Sequence, residues 1–89
     1  MEIELLDFYT DWCGPCKQQE PILEEIQEEY EEEVSIKKID VESNHEKANE
    51  FNVKSVPTLI LLSDKEVQER FVGLQSYDVL EEEIENLLP

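Results

Sequence analysis

Trp12-Cys13-Gly14-Pro15-Cys16 follows closely on the apolar run Ile3-Glu4-Leu5-Leu6-Asp7-Phe8-Tyr9, and it holds both cysteines of the chain. In an α-helix, residues three apart share a face at about 5–6 Å, a spacing a disulfide tolerates. Two thiols so placed open and close a disulfide with little backbone movement. A helix beginning at Cys13 would also aim its unpaired N–H groups and the positive end of its dipole at that sulfur, which favours the thiolate. Pro15 fixes φ in the first helical turn, where a missing N–H costs nothing. The stretch reads as a dithiol redox centre between a strand and a helix.

Working outward, Ile3 to Tyr9 has the length and apolarity of a strand covered on both faces, with Asp7 as the exception. After the cysteines, Ile22, Leu23, Ile26 and Tyr30 fall on one helical stripe, and Pro21 predicts a kink within it. Glu31-Glu32-Glu33 reads as solvated loop. Val34 to Val41 is a second strand with Val34, Ile36 and Ile39 inward. Ser43 and Glu46 suggest a capping box opening a short helix through Phe51. Val56 to Leu62 and Glu66 to Val72 read as a hairpin across Ser63-Asp64-Lys65. Gly73 ends the last strand, and Ser76 caps a final helix whose Leu80, Ile84, Leu87 and Leu88 make an apolar face. The order is β-α-β-α-β-β-α, with a parallel crossover between the first two strands.

With 89 residues the chain has room for one domain, residues 1–89. Two cysteines are too few for a disulfide framework, and their spacing suits catalysis better than stapling. The net charge of −17, from 24 acidic against 7 basic residues, leaves no basic patch for nucleic acid or for anionic membranes. No basic leader opens the chain and no apolar stretch approaches the roughly 20 residues of a membrane span, so a reducing cytoplasm is expected.

Over essentially its full length the chain resembles the thioredoxin family. Asp7, ahead of Trp12-Cys13-Gly14-Pro15-Cys16-Lys17, is similar to that family's buried acid and active-site signature. Pro21 is similar to its helix-kinking proline, and Lys38 to the lysine partner of the buried acid. Val56-Pro57-Thr58 resembles its cis-proline loop, and Gly73 the glycine beside its substrate groove. The resemblance implies an α/β thioredoxin-like fold, a four-stranded mixed sheet with three helices, lacking the family's usual first strand and helix. Three positions depart from the pattern. Asp64-Lys65 stands where Asn-Gly or Asp-Gly is usual, Ser55 where glycine or another small residue is usual, and Tyr9 where a tryptophan or another aromatic is usual.

The resemblance implies a protein-disulfide reductase that needs no cofactor beyond a reversible Cys13–Cys16 disulfide. Cys13 would attack as thiolate and Cys16 would resolve the mixed disulfide. Asp7, its pKa raised by burial, would take the Cys16 proton, with Lys38 opposing the shift. Trp12, Gly14, Pro15, Val56, Pro57 and Gly73 would bind substrate. Expected partners are disulfide-containing proteins and a thioredoxin reductase, NADPH- or ferredoxin-linked, with the chain a monomer. Other readings of the same residues are a thiol oxidase or isomerase, a zinc or iron–sulfur dimer using two thiolates from each copy, and a redox-silent adaptor. The metal reading is disfavoured because there is no second Cys-x-x-Cys pair and His45 is distant from the first.

Overall fold

The computed structural model describes residues 2–89. Seven elements follow in the order β1 (Ile3–Tyr9), α1 (Gly14–Glu29), β2 (Val34–Asp40), α2 (His45–Glu50), β3 (Thr58–Ser63), β4 (Glu66–Val72) and α3 (Tyr77–Leu87). They build one four-stranded sheet in the order β2-β1-β3-β4. β1 pairs parallel with β2 and antiparallel with β3, and β3 pairs antiparallel with β4 through an irregularity between Leu61 and Leu62. β2 and β4 are the edges, and β2 has no neighbour on its outer side among the described residues.

Alternation along β1 sends side chains to two different cores. Ile3 and Leu5 join Leu59, Leu61 and Phe71 beneath Leu23 and Ile26 of α1 and Leu80 and Ile84 of α3. Leu6 and Phe8 join Ile60 and Leu62 under Ala48 and Phe51, on the face that α2 covers. That is why β1 reads as an almost unbroken apolar run rather than an alternating one. Leu5, Ile26 and Leu59 are completely buried, and each contributes about 1.5–3 kcal/mol of burial. Val34 and Ile36 serve the first core and Ile39 the second, so the inward residues of β2 face opposite ways.

Two expected boundaries move. β3 begins at Thr58 rather than Val56, since Thr58 is the first residue of the strand to pair, opposite Phe8 and Val72; the Val56–Pro57 peptide bond just before it is cis. α2 is capped by Asn44 and not by a Ser43–Glu46 box, and Asn44 makes no side-chain capping bond. Its Nδ2 donates instead to the Asp40 carbonyl at 3.0 Å, closing the turn out of β2. α1 runs unbroken through Pro21 to Glu29.

The hairpin link between β3 and β4 puts Asp64 at φ +50° and Lys65 at φ +72°. These are the conformations Asn-Gly adopts cheaply in a two-residue turn, and a lysine there costs about 1 kcal/mol. Local bonds hold the turn. Asp64 N–H donates to the Glu2 carbonyl at 2.8 Å, and Asp64 Oδ1 accepts the Glu2 N–H at 2.9 Å. Lys65 Nζ lies 3.1 Å from Glu4 Oε1 and 3.5 Å from Glu2 Oε1.

Candidate active site

Cys13 is the N-cap of α1, one residue before the helix proper. Its backbone is extended (φ −98°, ψ 109°), and its Sγ accepts the Cys16 N–H at 3.0 Å. The sulfur thus occupies the place of a serine or aspartate capping oxygen, where a helix leaves N–H groups unpaired. A thiolate is stabilised there by the same donor and by the helix dipole. Cys13 and Cys16 form a disulfide with Cα atoms 5.2 Å apart. Cys13 is half-buried, whereas Cys16 keeps only 3% of its surface exposed. One sulfur faces out and its partner lies behind it.

Around this pair, Trp12 is 83% exposed, and its indole Nε1 donates to Glu42 Oε1 at 3.0 Å. Pro15 lies in the first turn of α1. A Cβ added at Gly14 would meet nothing within 4 Å, so no crowding demands glycine at that position. Gly73 takes φ +94°, a backbone that side chains resist. Its N–H donates to the Pro57 carbonyl at 2.8 Å, which ties the last strand's end to the cis-proline loop. The Val56 backbone makes no hydrogen bond among the described residues. Thr58 Oγ1 donates to the Ser55 carbonyl at 2.7 Å and closes the same loop.

Asp7 lies beneath α1, on the Ile3 and Leu5 face of β1. It is 1% exposed, and neither carboxylate oxygen has a hydrogen-bond partner. Burial pushes its pKa up from an ordinary 3.8 to about 6; the Lys38 charge opposes the rise and Glu20 adds to it. Lys38 stands directly opposite Asp7 in the parallel register of β1 and β2. Its ammonium does not bond that acid. It sits 2.5 Å from Glu20 Oε1 and 4.7 Å from the centre of the Tyr9 ring. Lys38 therefore acts on Asp7 through its field, while its ion pair belongs to α1. The Glu20 bond also raises the Lys38 pKa, so the ammonium stays charged.

Two residues of the site are absent from the sequence reading. Glu20 is one. The other is Gln19, which is completely buried on α1 one turn beyond Cys16. Its Nε2 donates to the Gln75 carbonyl at 3.0 Å and its Oε1 accepts the Gln75 N–H at 2.8 Å. A run of bonds thus leads from the cysteine helix through Gln75 to the Gly73 turn and on to Pro57. The signal for Gln19 lay in the apolar stripe itself, since Leu23, Ile26 and Tyr30 extend backward onto that amide.

A thioredoxin family model matches residues 1–86. The chain belongs to the thioredoxin family. It is 45% identical over 80 residues to thioredoxin of Bacillus subtilis, covering 90% of this chain and 77% of that relative. A solved mutant thioredoxin from Halobacterium salinarum superposes with a TM-score of 0.90 at 43% identity, over 99% of this chain and 79% of the other. A bifunctional thioredoxin reductase/thioredoxin of Mycobacterium leprae is 40% identical over 85 residues, which are 96% of this chain and 19% of that protein. The thioredoxin fold and the cysteine pair make this chain a thiol–disulfide oxidoreductase, a reductase of protein disulfides that works through its own disulfide. Among the described residues no helix is long and apolar enough to cross a membrane.

Proposed function

We propose that Cys13 is the attacking thiolate and Cys16 the resolving thiol. The observation that carries this division is the half-buried Cys13 sulfur at the α1 cap with Cys16 buried behind it. The Cys13 thiolate attacks one sulfur of a substrate disulfide, forming a Cys13–substrate bond and releasing the other substrate sulfur as thiolate. Cys16 then loses its proton to the Asp7 carboxylate and attacks Cys13 Sγ. The Cys13–Cys16 bond forms, the second substrate sulfur leaves with its electron pair, and solvent protonates it. Two electrons have passed to the substrate, and the protein is left as the disulfide. Lys38 restrains the Asp7 pKa through its charge. The unpaired Val56 backbone, beside Pro57, offers an extended substrate segment hydrogen-bonding groups in the manner of an added strand. Trp12, Gly14, Pro15 and Gly73 complete the docking surface.

Re-reduction requires a two-electron donor, and the fused relative from Mycobacterium leprae supports a thioredoxin reductase in that role. We take residues 1–89 as one monomeric, cytoplasmic domain needing no cofactor. The oxidase, isomerase, adaptor and metal-bridged readings gain no support from relatives that are themselves thioredoxins. Single substitutions test the assignment by insulin reduction and mass spectrometry of the trapped species. Cys13→Ser should abolish turnover. Cys16→Ser should accumulate a stable Cys13–substrate disulfide, and wild-type turnover in that variant would remove its resolving role.

A further inference from the structure

Between α1 and the β1–β2 pair lies a cavity of about 230 Å³ lined by Asp7, Ile36, Lys38, Glu20, Glu24 and Gln27, among others. It has room for several water molecules. Asp7 is its buried wall, and Glu20 and Lys38, each with somewhat under half of the side chain exposed, stand where it reaches solvent. The geometry points to Glu20 as a positioning residue for the resolving step, drawing the Lys38 ammonium off Asp7 and so leaving that carboxyl without an ion-pair partner. The inference rests on Asp7 receiving the Cys16 proton.

Register and reach make the case. Lys38 is the cross-strand neighbour of Asp7 on the same face, so a lysine there would ordinarily close an ion pair with the acid. Instead its ammonium bonds Glu20 at 2.5 Å, and both Asp7 oxygens are left unpaired. Glu20 lies one helical turn beyond Cys16, so proton donor, acceptor and control residue share the first two turns of α1 and the strand beneath. The charged groups that share the cavity with Asp7 are Lys38 from β2 and Glu20 and Glu24 from α1; its β3 partner, Leu59, carries no charge. A paired Asp7 would be a weaker base toward the thiol. The arrangement keeps it a stronger one, and the cavity lets the acquired proton leave for solvent without crossing the core.

The titration of Asp7, followed by its carboxyl carbon resonance in the oxidised protein, reads this directly. Glu20→Gln should lower the Asp7 midpoint by about half a unit to one unit. Glu20→Asp, which keeps the charge, should restore most of the shift, and Lys38→Met should move the midpoint the opposite way. The acid limb of the resolving rate, measured in single turnover from a preformed mixed disulfide, should follow the same order. An unchanged midpoint in Glu20→Gln overturns the role of Glu20. If Asp7→Asn itself leaves the acid limb in place, the failure belongs to the reading of Asp7 as base. If Asp7→Asn abolishes the limb while Glu20→Gln leaves it unmoved, only the part assigned to Glu20 is lost.

Discussion

Glu4 and Asp7 are carboxylates on the same strand, three residues apart, and both are withdrawn from solvent to within a few per cent. They point to opposite faces of the sheet and meet opposite electrostatics. Glu4 receives Lys37 at 2.6 Å and Lys65 at 3.1 Å. The Lys37 hydrogen bond, then that of Lys65, hold its pKa below the usual carboxylate value. Asp7 has a lysine for its register neighbour and no hydrogen bond, and its pKa rises to about 6. Burial alone therefore does not decide what a carboxyl does. Its partners settle whether it becomes a fastener of the β3–β4 turn or a group that exchanges protons near neutrality.

Asp7→Asn should give the largest effect, and on stability. Because the folded-state pKa is raised, the folded protein holds a proton more tightly than the unfolded chain. Stability from this group is full below 3.8 and is lost as the pH climbs through about 6. Above that, the native state carries an unpaired buried charge at a cost of about 3 kcal/mol. The oxidised Asp7→Asn protein should accordingly gain about 2–3 kcal/mol over wild type at about pH 8 and roughly half as much at about pH 5 in guanidinium unfolding. A gain independent of pH would show that packing rather than charge distinguishes the two acids.

The next effect is kinetic. Asp7→Asn should slow the resolving step about tenfold near neutrality, below the usual range for a general base because the Cys16 thiol still ionises unaided. Glu4→Gln, on the far face, should turn over insulin at the wild-type rate. Equal losses in both variants would erase the contrast between them. The smallest effect belongs to Glu4 stability. Its lysine partners are more than half exposed, so Glu4→Gln should cost only about 1 kcal/mol, and less in high salt. Its depressed pKa makes that contribution present above the ordinary carboxylate value and lost as the pH falls through the folded one. Unfolding midpoints at low and molar salt check both statements.

Much of this was legible in the residues. The apolarity of Ile3–Tyr9, broken only at Glu4 and Asp7, marked a strand with cores on both sides, and the two cysteines at helical spacing marked the helix start to within one residue. The cis bond at Pro57 came from resemblance to a family, since one sequence does not distinguish a cis proline from a trans one, and the positive φ of Gly73 came only with the structure. What escaped was set by tertiary contact. Asn44 rather than Ser43 stands at the cap of α2, and its amide closes the turn onto Asp40 instead of bonding the helix. Lys38 was matched to Asp7 by resemblance to the family, and nothing along the chain shows that Glu20, eighteen residues upstream and on another element, bonds the ammonium. Glu4 drew no reading from the sequence, because its Lys65 partner lies 61 residues away along the chain.

The outer flank of β2, which among the described residues meets no strand and is covered by the Gln27 amide at Val34 and Ile36, bears on how the protein behaves in concentrated solution. The amides and carbonyls that Gln27 leaves unpaired along this outer strand are a template on which another extended chain can add. Lys37 and Lys38 on its two faces, together with the −17 overall charge, keep copies apart at neutral pH. Near the isoelectric point, about 4.1, that mutual repulsion vanishes while the flank remains. Turbidity of concentrated stocks is therefore expected to rise as the pH is lowered toward that point.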